Sequence, residues 1–351
     1  MNALVASLIL REVSNVRIIY VFDPERKDIA EYKLVTRALL CNYSIESEQV
    51  IEYDSLRFWG GEKKRLLSTA QQTLIPLVQQ HPSGTVYFGN PLTNPVAQAL
   101  KRLVKVNHLY HAPSDFVGIL SPQSSLLKTG IKNLVNWLLY RDVYQIQSGD
   151  LPVFSLLNLV SYPSFKFLDF NDFSSSTVEK VLGELIQAVR CTGKNIMLLL
   201  AGDEPAPGDN NYSNISKYLQ PHADALEMLM RDKNLQGATV WVKEHRSYRP
   251  LELKERLQLR CALELQAVRV EFISDYIPRT YRLLPGECII RYCKFDHVVA
   301  EPSSLLLNIS HSIKASLAVS QFVPFRDDNQ RNRNREMVYL NSLLAEPCEV
   351  L

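Results

Sequence analysis

The feature that most constrains the fold of this chain is an alternation of short apolar runs with longer amphipathic segments. Runs such as Arg17–Asp23, Asn195–Leu200 and Thr239–Val242 are rich in aliphatic residues and bounded by turn formers, which is typical of buried strands. The segments between them, such as Arg26–Leu40 and Ile215–Asp232, have the apolar spacing of helices. This alternation indicates an α/β fold with doubly wound parallel sheets.

The alternation occurs twice, on either side of a stretch rich in Ser, Pro, Phe and Asp. A chain of 351 residues exceeds the size of most single cores, so two domains are expected. We predict Rossmann-like domains over residues 1–160 and 177–320, an interdomain crossing over 161–176, and a polar tail with a short helix over 321–351.

Charge and cysteine usage exclude several classes of protein. The 39 basic and 37 acidic residues leave a net charge of +2, which argues against a nucleic-acid binder that relies on a basic surface. Six cysteines are scattered without a CxxC pair, so we predict free thiols in a reducing compartment and neither a disulfide framework nor a zinc site. No cluster of Asp, Glu and His suggests any other metal site.

Membrane insertion is not expected, because the sequence has no apolar run long enough to span a bilayer. The apolar start Met1–Leu10 lacks the basic leader of a signal peptide, so we expect a cytoplasmic protein. The segment 124–144 is a predicted basic amphipathic helix. Such a helix packs on a sheet or lies on an anionic membrane surface, and both interpretations stay open.

Polar residues follow four predicted elements of the second half, where the ligands of open α/β sheets bind. The four segments are Gly202–Pro205, Lys243–His245, Pro285–Glu287 and Ser303–Ser304. The sequence contains neither GxGxxG nor GxxxxGK[ST], which argues against dinucleotide and P-loop sites. The segments are suited to a nucleotide of another kind.

Each predicted ligand residue has a side chain or backbone suited to one part of a nucleotide. Lys243 and His245 are suited to a phosphate, Glu287 to ribose hydroxyls, and Gly202 permits close approach of the backbone. Ser303 and Ser304 precede an apolar helical segment, where serine commonly caps the helix. The free N–H groups of a helix start also bind phosphate, so capping and phosphate binding are compatible.

The order of these segments resembles that of bacterial sialyltransferases, in particular glycosyltransferase family 52 and the capsular alpha-2,8-polysialyltransferases. The resemblance covers about residues 195–310 and rests on four short motifs: Leu198–Gly202, Lys243–His245, Leu284–Glu287 and Ser303–Leu305. Arg246 stands where these families have proline, which departs from their pattern but adds a cation.

The resemblance implies an inverting, metal-independent glycosyltransferase of the GT-B architecture, in which two Rossmann-like domains face a cleft. Residues 177–320 would bind a CMP-sugar donor as substrate, without a cofactor, and residues 1–160 would bind a glycan acceptor. His245 would act on the CMP phosphate as a catalytic residue, with Ser303 and Ser304 beside it. The transferred group would be sialic acid or a related keto-sugar acid.

The same resemblance implies an acidic general base in the first half. Asp115 is the candidate and His111 the second choice, although the acidic-acidic-Gly triplet of these families is absent. Asp115 also fits a simple role in the turn after Pro113–Ser114.

Two other functions remain open: transfer from another nucleotide sugar, such as CMP-Kdo or a UDP-sugar, and an inactive protein that binds a nucleotide or a partner. The first reading places the protein in the synthesis of surface polysaccharide or lipooligosaccharide. The sequence makes no prediction of oligomeric state.

Overall fold

The computed structural model of the chain divides into two compact units. Unit 1 and unit 2 are discontinuous: unit 1 comprises Met1–Thr36, Leu40–Leu156 and Ser161–Leu168, and unit 2 comprises Arg37–Leu39, Leu157–Val160 and Asp169–Leu351. The structure describes residues 2–10, 15–22, 28–52, 68–69, 72, 75–76, 79–80, 86–88, 108–111, 153–159, 165–200, 215–244, 251–264, 269–300, 303–313, 315–317 and 337–350. The predicted crossing, 161–176, contains the boundary between Leu168 and Asp169.

The strands described in unit 1 form two parallel sheets. In one, β1 pairs with β2, and in the other the strand order is β3-β4-β5-β6. The elements are α1 (Asn2–Ile9), β1 (Asn15–Phe22), α2 (Ile29–Leu39), β2 (Ser44–Glu52), β3 (Val86–Phe88), β4 (His108–His111), β5 (Val153–Ser155) and β6 (Phe165–Phe167). β6 falls in the predicted interdomain crossing, 161–176, and its three residues are too few to show a strand pattern. The predicted amphipathic helix 124–144 lies outside the described residues.

Unit 2 contains a six-stranded sheet with the order β12-β11-β10-β7-β8-β9, in which every pair is parallel. Its elements are α3 (Ser176–Val181), α4 (Gly183–Arg190), β7 (Asn195–Leu199), α5 (Ile215–Asp232), β8 (Thr239–Lys243), α6 (Leu253–Glu264), β9 (Arg269–Phe272), α7 (Gly286–Tyr292), β10 (His297–Ala300), α8 (Ser304–Ile309), β11 (Ala315–Leu317) and β12 (Glu349–Val350). The α/β prediction is confirmed.

The C-terminal tail differs from the prediction. Residues 321–351 were expected to form a separate polar tail, but β12 pairs with β11 and therefore belongs to the sheet of unit 2. The predicted short helix is present at residues 337–342. Strands of two and three residues carry no readable periodicity, so neither β11 nor β12 was predicted.

The core of unit 2 lies on both faces of its central strands. All residues of β7, β8 and β10 are buried. Ile196, Leu198 and Val240 pack with Leu226 of α5 and Leu259 of α6, all with no exposed surface. Burial of each such side chain contributes about 1.5–3 kcal/mol, and strands buried on both faces read as continuous apolar runs. Within the described part of the chain, no helix has both the length and the hydrophobicity that a membrane-spanning segment requires.

Candidate functional site

The candidate site lies at the carboxyl edge of the unit 2 sheet. The ends of three strands are in register there, because Leu199 of β7 pairs with Lys243 of β8 on one side and with Ala300 of β10 on the other. The segments that leave these strands, together with the helix starts above them, carry the predicted ligand residues. The strand ends of a parallel sheet are where ligands of such folds bind.

Two of the predicted motifs are in direct contact. Gly286 is the first residue of α7, and a Cβ atom at this position would lie 2.8 Å from Cδ2 of Leu305 in the first turn of α8. Leu305 is itself buried, at 6% exposure. Glycine is therefore required for α7 to approach α8 this closely without displacement of the leucine side chain. The motifs Leu284–Glu287 and Ser303–Leu305 form one structural unit.

A buried polar pair holds the same two helices together. Glu287 is only 2% exposed, and its Oε1 accepts a hydrogen bond of 2.9 Å from Nδ2 of Asn308. A carboxylate in an apolar interior is costly unless it is hydrogen-bonded, so Asn308 stabilises this arrangement. The sequence reading predicted a ribose contact for Glu287 and missed Asn308. The available signal was an asparagine within the otherwise apolar run of α8.

Ser303 has the capping role that the sequence analysis considered. Its backbone is extended, with φ −141° and ψ 140°, and its hydroxyl accepts from the N–H of Leu305 at 3.3 Å. This contact uses one of the free donors at the start of α8. The backbone of Ser304 begins α8, whereas its side chain lies outside the described residues.

Lys243 is the last residue of β8 and is 8% exposed. Its Nζ donates to the carbonyl oxygen of Glu244 at 3.2 Å, and its own carbonyl accepts from Leu200 N–H at 2.9 Å. A buried ammonium group stabilises negative charge more strongly than one in water, because the local dielectric constant is lower. The geometry places a cation where β8 ends.

Arg256, in the first turn of α6, connects the ends of β8 and β9. It donates to Oε1 of Glu244 at 3.2 Å, to Oγ of Ser274 at 2.8 Å, and to the Asp275 carboxylate. The helix start is fixed by Glu255, whose carboxylate accepts from Glu252 N–H at 2.7 Å. Sequence reasoning missed Arg256, because its partners follow two different strands.

Several residues singled out in the sequence lie outside the described residues: Gly202, His245, Asp115 and Arg246. Their proposed roles remain predictions. His111, the second choice for the base, is the last residue of β4 in unit 1. The structure brings Lys243, Glu287 and Ser303 to one edge of the unit 2 sheet and leaves the other assignments untested.

The cysteines take no part in disulfides, since all six are free. Burial raises the pKa of the Cys288 thiol, and the neighbouring Glu287 raises it further, so this thiol stays protonated next to the candidate site. Burial also raises the pKa of Cys293 and Cys348 to about 12. Within the described residues, no group of three or more His, Cys, Asp or Glu side chains is placed to hold a metal ion.

Comparison with known proteins adds structural likeness but no family. No family model and no curated protein matches the chain. Solved structures with similarity include MurG from Acinetobacter baumannii, with 9% identity and a TM-score of 0.43 over 95% of this chain and 85% of that one. A glycosyltransferase of kitacinnamycin has 11% identity and a TM-score of 0.39 over 97% and 86%. A glycosyltransferase from Rickettsia africae has 9% identity and a TM-score of 0.35 over 94% and 89%. Similarity at this level does not decide the function, which rests on the site.

Proposed function

We propose that the protein is an inverting, metal-independent glycosyltransferase of the GT-B architecture that transfers sialic acid, or a related keto-sugar acid, from its CMP donor to a glycan acceptor. The donor would bind at the carboxyl edge of the unit 2 sheet. Under this proposal no cofactor takes part, and the acceptor belongs to a surface polysaccharide or lipooligosaccharide.

The observation that carries the proposal is the contact between α7 and α8. Two motifs whose order resembles that of the sialyltransferases are separated in sequence, yet Gly286 packs on Leu305 and Glu287 bonds Asn308. Both helices start at the edge where β10 ends, and their first turns carry the residues proposed to bind ribose and phosphate. A contact of this kind explains why both motifs occur in one chain.

The proposed donor contacts follow from charge and hydrogen-bonding capacity. Lys243, His245 and the first turn of α8, with Ser303 and Ser304, would bind the phosphate of CMP. Glu287 would accept from the ribose hydroxyls through Oε2, since its Oε1 bonds Asn308. Gly202 would allow the chain after β7 to approach the nucleotide closely.

The proposed reaction is a single displacement. An acceptor hydroxyl oxygen attacks the anomeric carbon while the bond from that carbon to the CMP phosphate oxygen breaks. Asp115 takes the hydroxyl proton, and His245 stabilises or protonates the departing phosphate. Each preorganised donor at the developing charge contributes about 3–4 kcal/mol to the barrier reduction. The configuration at the anomeric carbon inverts.

Binding of CMP, UDP and GDP, measured by calorimetry and thermal shift, tests the donor site. We expect CMP to bind most tightly and Lys243→Met to weaken it about tenfold or more, as loss of a charged hydrogen bond does. Lys194→Met is the matched control, because Lys194 is exposed before β7 and donates to the Asn234 carbonyl, away from the site. Preferred binding of UDP would favour another nucleotide sugar, and no binding of any nucleotide would contradict a donor site.

Transfer assays with the purified protein test the chemistry. Asp115→Ala is expected to abolish transfer and to leave CMP affinity unchanged, whereas His245→Ala is expected to lower both. Full turnover by Asp115→Ala would refute the assignment of the base, and the same measurement on His111→Ala would then examine the second choice. If the wild-type protein binds CMP but turns over no CMP-sugar, the inactive nucleotide-binding alternative is supported.

A further inference from the structure

We propose that Arg256 positions the Glu244 carboxylate, which holds the Leu251 amide before α6, and that it neutralises this acidic residue next to Lys243, a proposed phosphate ligand. The second half of this inference rests on the proposed function. The bonds of Arg256 to Glu244, Ser274 and Asp275 are called here the Arg256 bridge.

The Arg256 bridge connects the ends of two neighbouring strands. Glu244 directly follows β8, whereas Ser274 and Asp275 follow β9. The guanidinium also packs over the ring of Phe272, 4.8 Å from its centroid. Among the described residues, none accepts a hydrogen bond from its buried Nε, so the orientation of the group serves the other nitrogens. A planar guanidinium is suited to bridging of this kind, whereas an ammonium is not.

The bridge also fixes the chain just before α6. The carboxylate Oε1 of Glu244, which receives the Arg256 bond, accepts at 3.3 Å from the N–H of Leu251. The Glu244 carboxylate therefore joins the end of β8 to Leu251, and Arg256 holds that carboxylate in place.

Charge gives a second reason for the bridge. Glu244 stands between Lys243 and His245, the two residues proposed to bind a phosphate. A carboxylate at this position repels a phosphate unless its charge is compensated, and Arg256 compensates it at 3.2 Å. The Arg256 bridge therefore makes an acidic residue compatible with an anion site. It accounts for the residue order Lys243-Glu244-His245.

Arg256→Met and its matched control Arg260→Met test the inference. Arg260 lies one turn further along α6, over the same Phe272 ring at 5.8 Å, and donates to the Val270 carbonyl within β9. Hydrogen exchange of residues 244–252 reports on positioning. We expect about tenfold faster exchange of the Leu251 amide in Arg256→Met, as the loss of a charged interaction predicts, and no change in Arg260→Met. Equal exchange in the two variants would overturn the positioning role.

Affinities for CMP and for cytidine report on the charge. Arg256→Met is expected to weaken CMP about tenfold and cytidine less than about twofold, because cytidine has no phosphate to be repelled. The double variant Glu244→Gln/Arg256→Met is expected to regain part of the CMP affinity. Equal losses for CMP and cytidine, or no recovery in the double variant, would refute the neutralising role. Absence of nucleotide binding by the wild-type protein would refute the proposed function and this role together, while hydrogen exchange would still decide on positioning. If Arg256→Met does not fold, Arg256→Gln, which removes the charge and keeps a hydrogen-bond donor, replaces it in both measurements.

Discussion

Two groups of buried polar residues, one at each edge of the unit 2 sheet, differ in their chemistry. At the amino edge, Asn195 Oδ1 accepts from Trp241 Nε1 at 2.8 Å and from the hydroxyl of Thr192, while its Nδ2 donates at 3.1 Å to the carbonyls of Val189 and Gly193. At the carboxyl edge, the buried side chains of Lys243 and Glu287 are ionisable. The Asn195 cluster at the amino edge is neutral and saturated by the protein, whereas Lys243 and Glu287 at the carboxyl edge can carry charge.

The difference separates stability from binding. A neutral side chain with all of its hydrogen bonds made inside the protein stabilises the fold and offers little to a ligand. An ionised side chain that is buried costs desolvation energy, which a counter-charge or a ligand offsets. We therefore expect substitutions in the Asn195 cluster to change stability alone, and substitutions of Lys243 and Glu287 to change binding as well.

The largest expected effect is that of Asn308→Asp, which places a second carboxylate 2.9 Å from the Glu287 oxygen. An uncompensated buried charge costs about 3–5 kcal/mol. The double variant Glu287→Gln/Asn308→Asp reverses the hydrogen bond and is expected to recover most of the free energy of unfolding, measured with urea. Nucleotide affinity should remain low in the double variant, because the residue proposed to bind ribose has lost its charge. Recovery of both quantities would show that Glu287 is purely structural.

Asn195→Ala is expected to destabilise the protein by about 2–3 kcal/mol, because it leaves the buried Trp241 N–H without its partner and removes the bonds from Asn195 to the Val189 and Gly193 carbonyls. Thr192→Val, which removes only one of the bonds to Asn195, should cost about 1 kcal/mol. Nucleotide affinity of the folded variants should equal that of the wild type. A selective loss of affinity in Asn195→Ala would break the division between the two edges.

Gly286→Ala is expected to cost about 1–2 kcal/mol, because the new Cβ would overlap Cδ2 of Leu305. Leu305→Val in the same chain removes the Cδ atoms and should restore part of the stability. Gly183→Ala is the matched control, since Gly183 also begins a helix but has open space around its Cα. That substitution should stabilise the protein by about 0.4–1 kcal/mol. Equal effects of the two alanines in thermal unfolding would disprove the close contact of α7 and α8.

The smallest expected effect concerns the pair of Asp169 and His311. Asp169 Oδ1 lies 3.0 Å from Nε2 of His311, which follows α8 in the sequence. Burial raises the pKa of Asp169, but hydrogen bonds from His311 and the Asn171 N–H lower it more, so the net shift is downward. A lowered pKa contributes stability above the pKa of the unfolded chain, about 3.9, and the contribution is lost as the pH falls through the folded value. Because the Asp169 side chain is 39% exposed and partly screened by water, Asp169→Asn should cost about 0.5 kcal/mol near neutral pH.

Urea unfolding of the wild type and of Asp169→Asn at a series of pH values tests this pair. The stability difference between the wild type and Asp169→Asn should vanish in acid, where Asp169 is protonated in both states of the wild type. Nucleotide affinity should be the same for both proteins. A difference that grows towards acid would contradict the lowered pKa of Asp169.

Much of unit 2 could be predicted from sequence because its central strands are buried on both faces. Asn195–Leu199 and Thr239–Lys243 read as continuous apolar runs that end at polar residues, and the parallel arrangement then places those ends on one edge. The contact of Gly286 with Leu305 could not be predicted, since it depends on the separation of two helices. Arg256 was missed for a similar reason, because its three partners come together only when β8 and β9 are adjacent.

The discontinuity of unit 2 has a consequence for the newly made chain. Leu159 forms an isolated bridge with Leu344, and the carbonyl of Asn158 accepts from Ala345 N–H at 2.9 Å. On the ribosome, Asn158 and Leu159 therefore emerge long before Leu344 and Ala345. Their backbone groups must stay solvated, or be shielded by a chaperone, until residues 344–345 are synthesised. This folding step of unit 2 is thus timed by the synthesis of residues 344–345 and not by the formation of its central sheet.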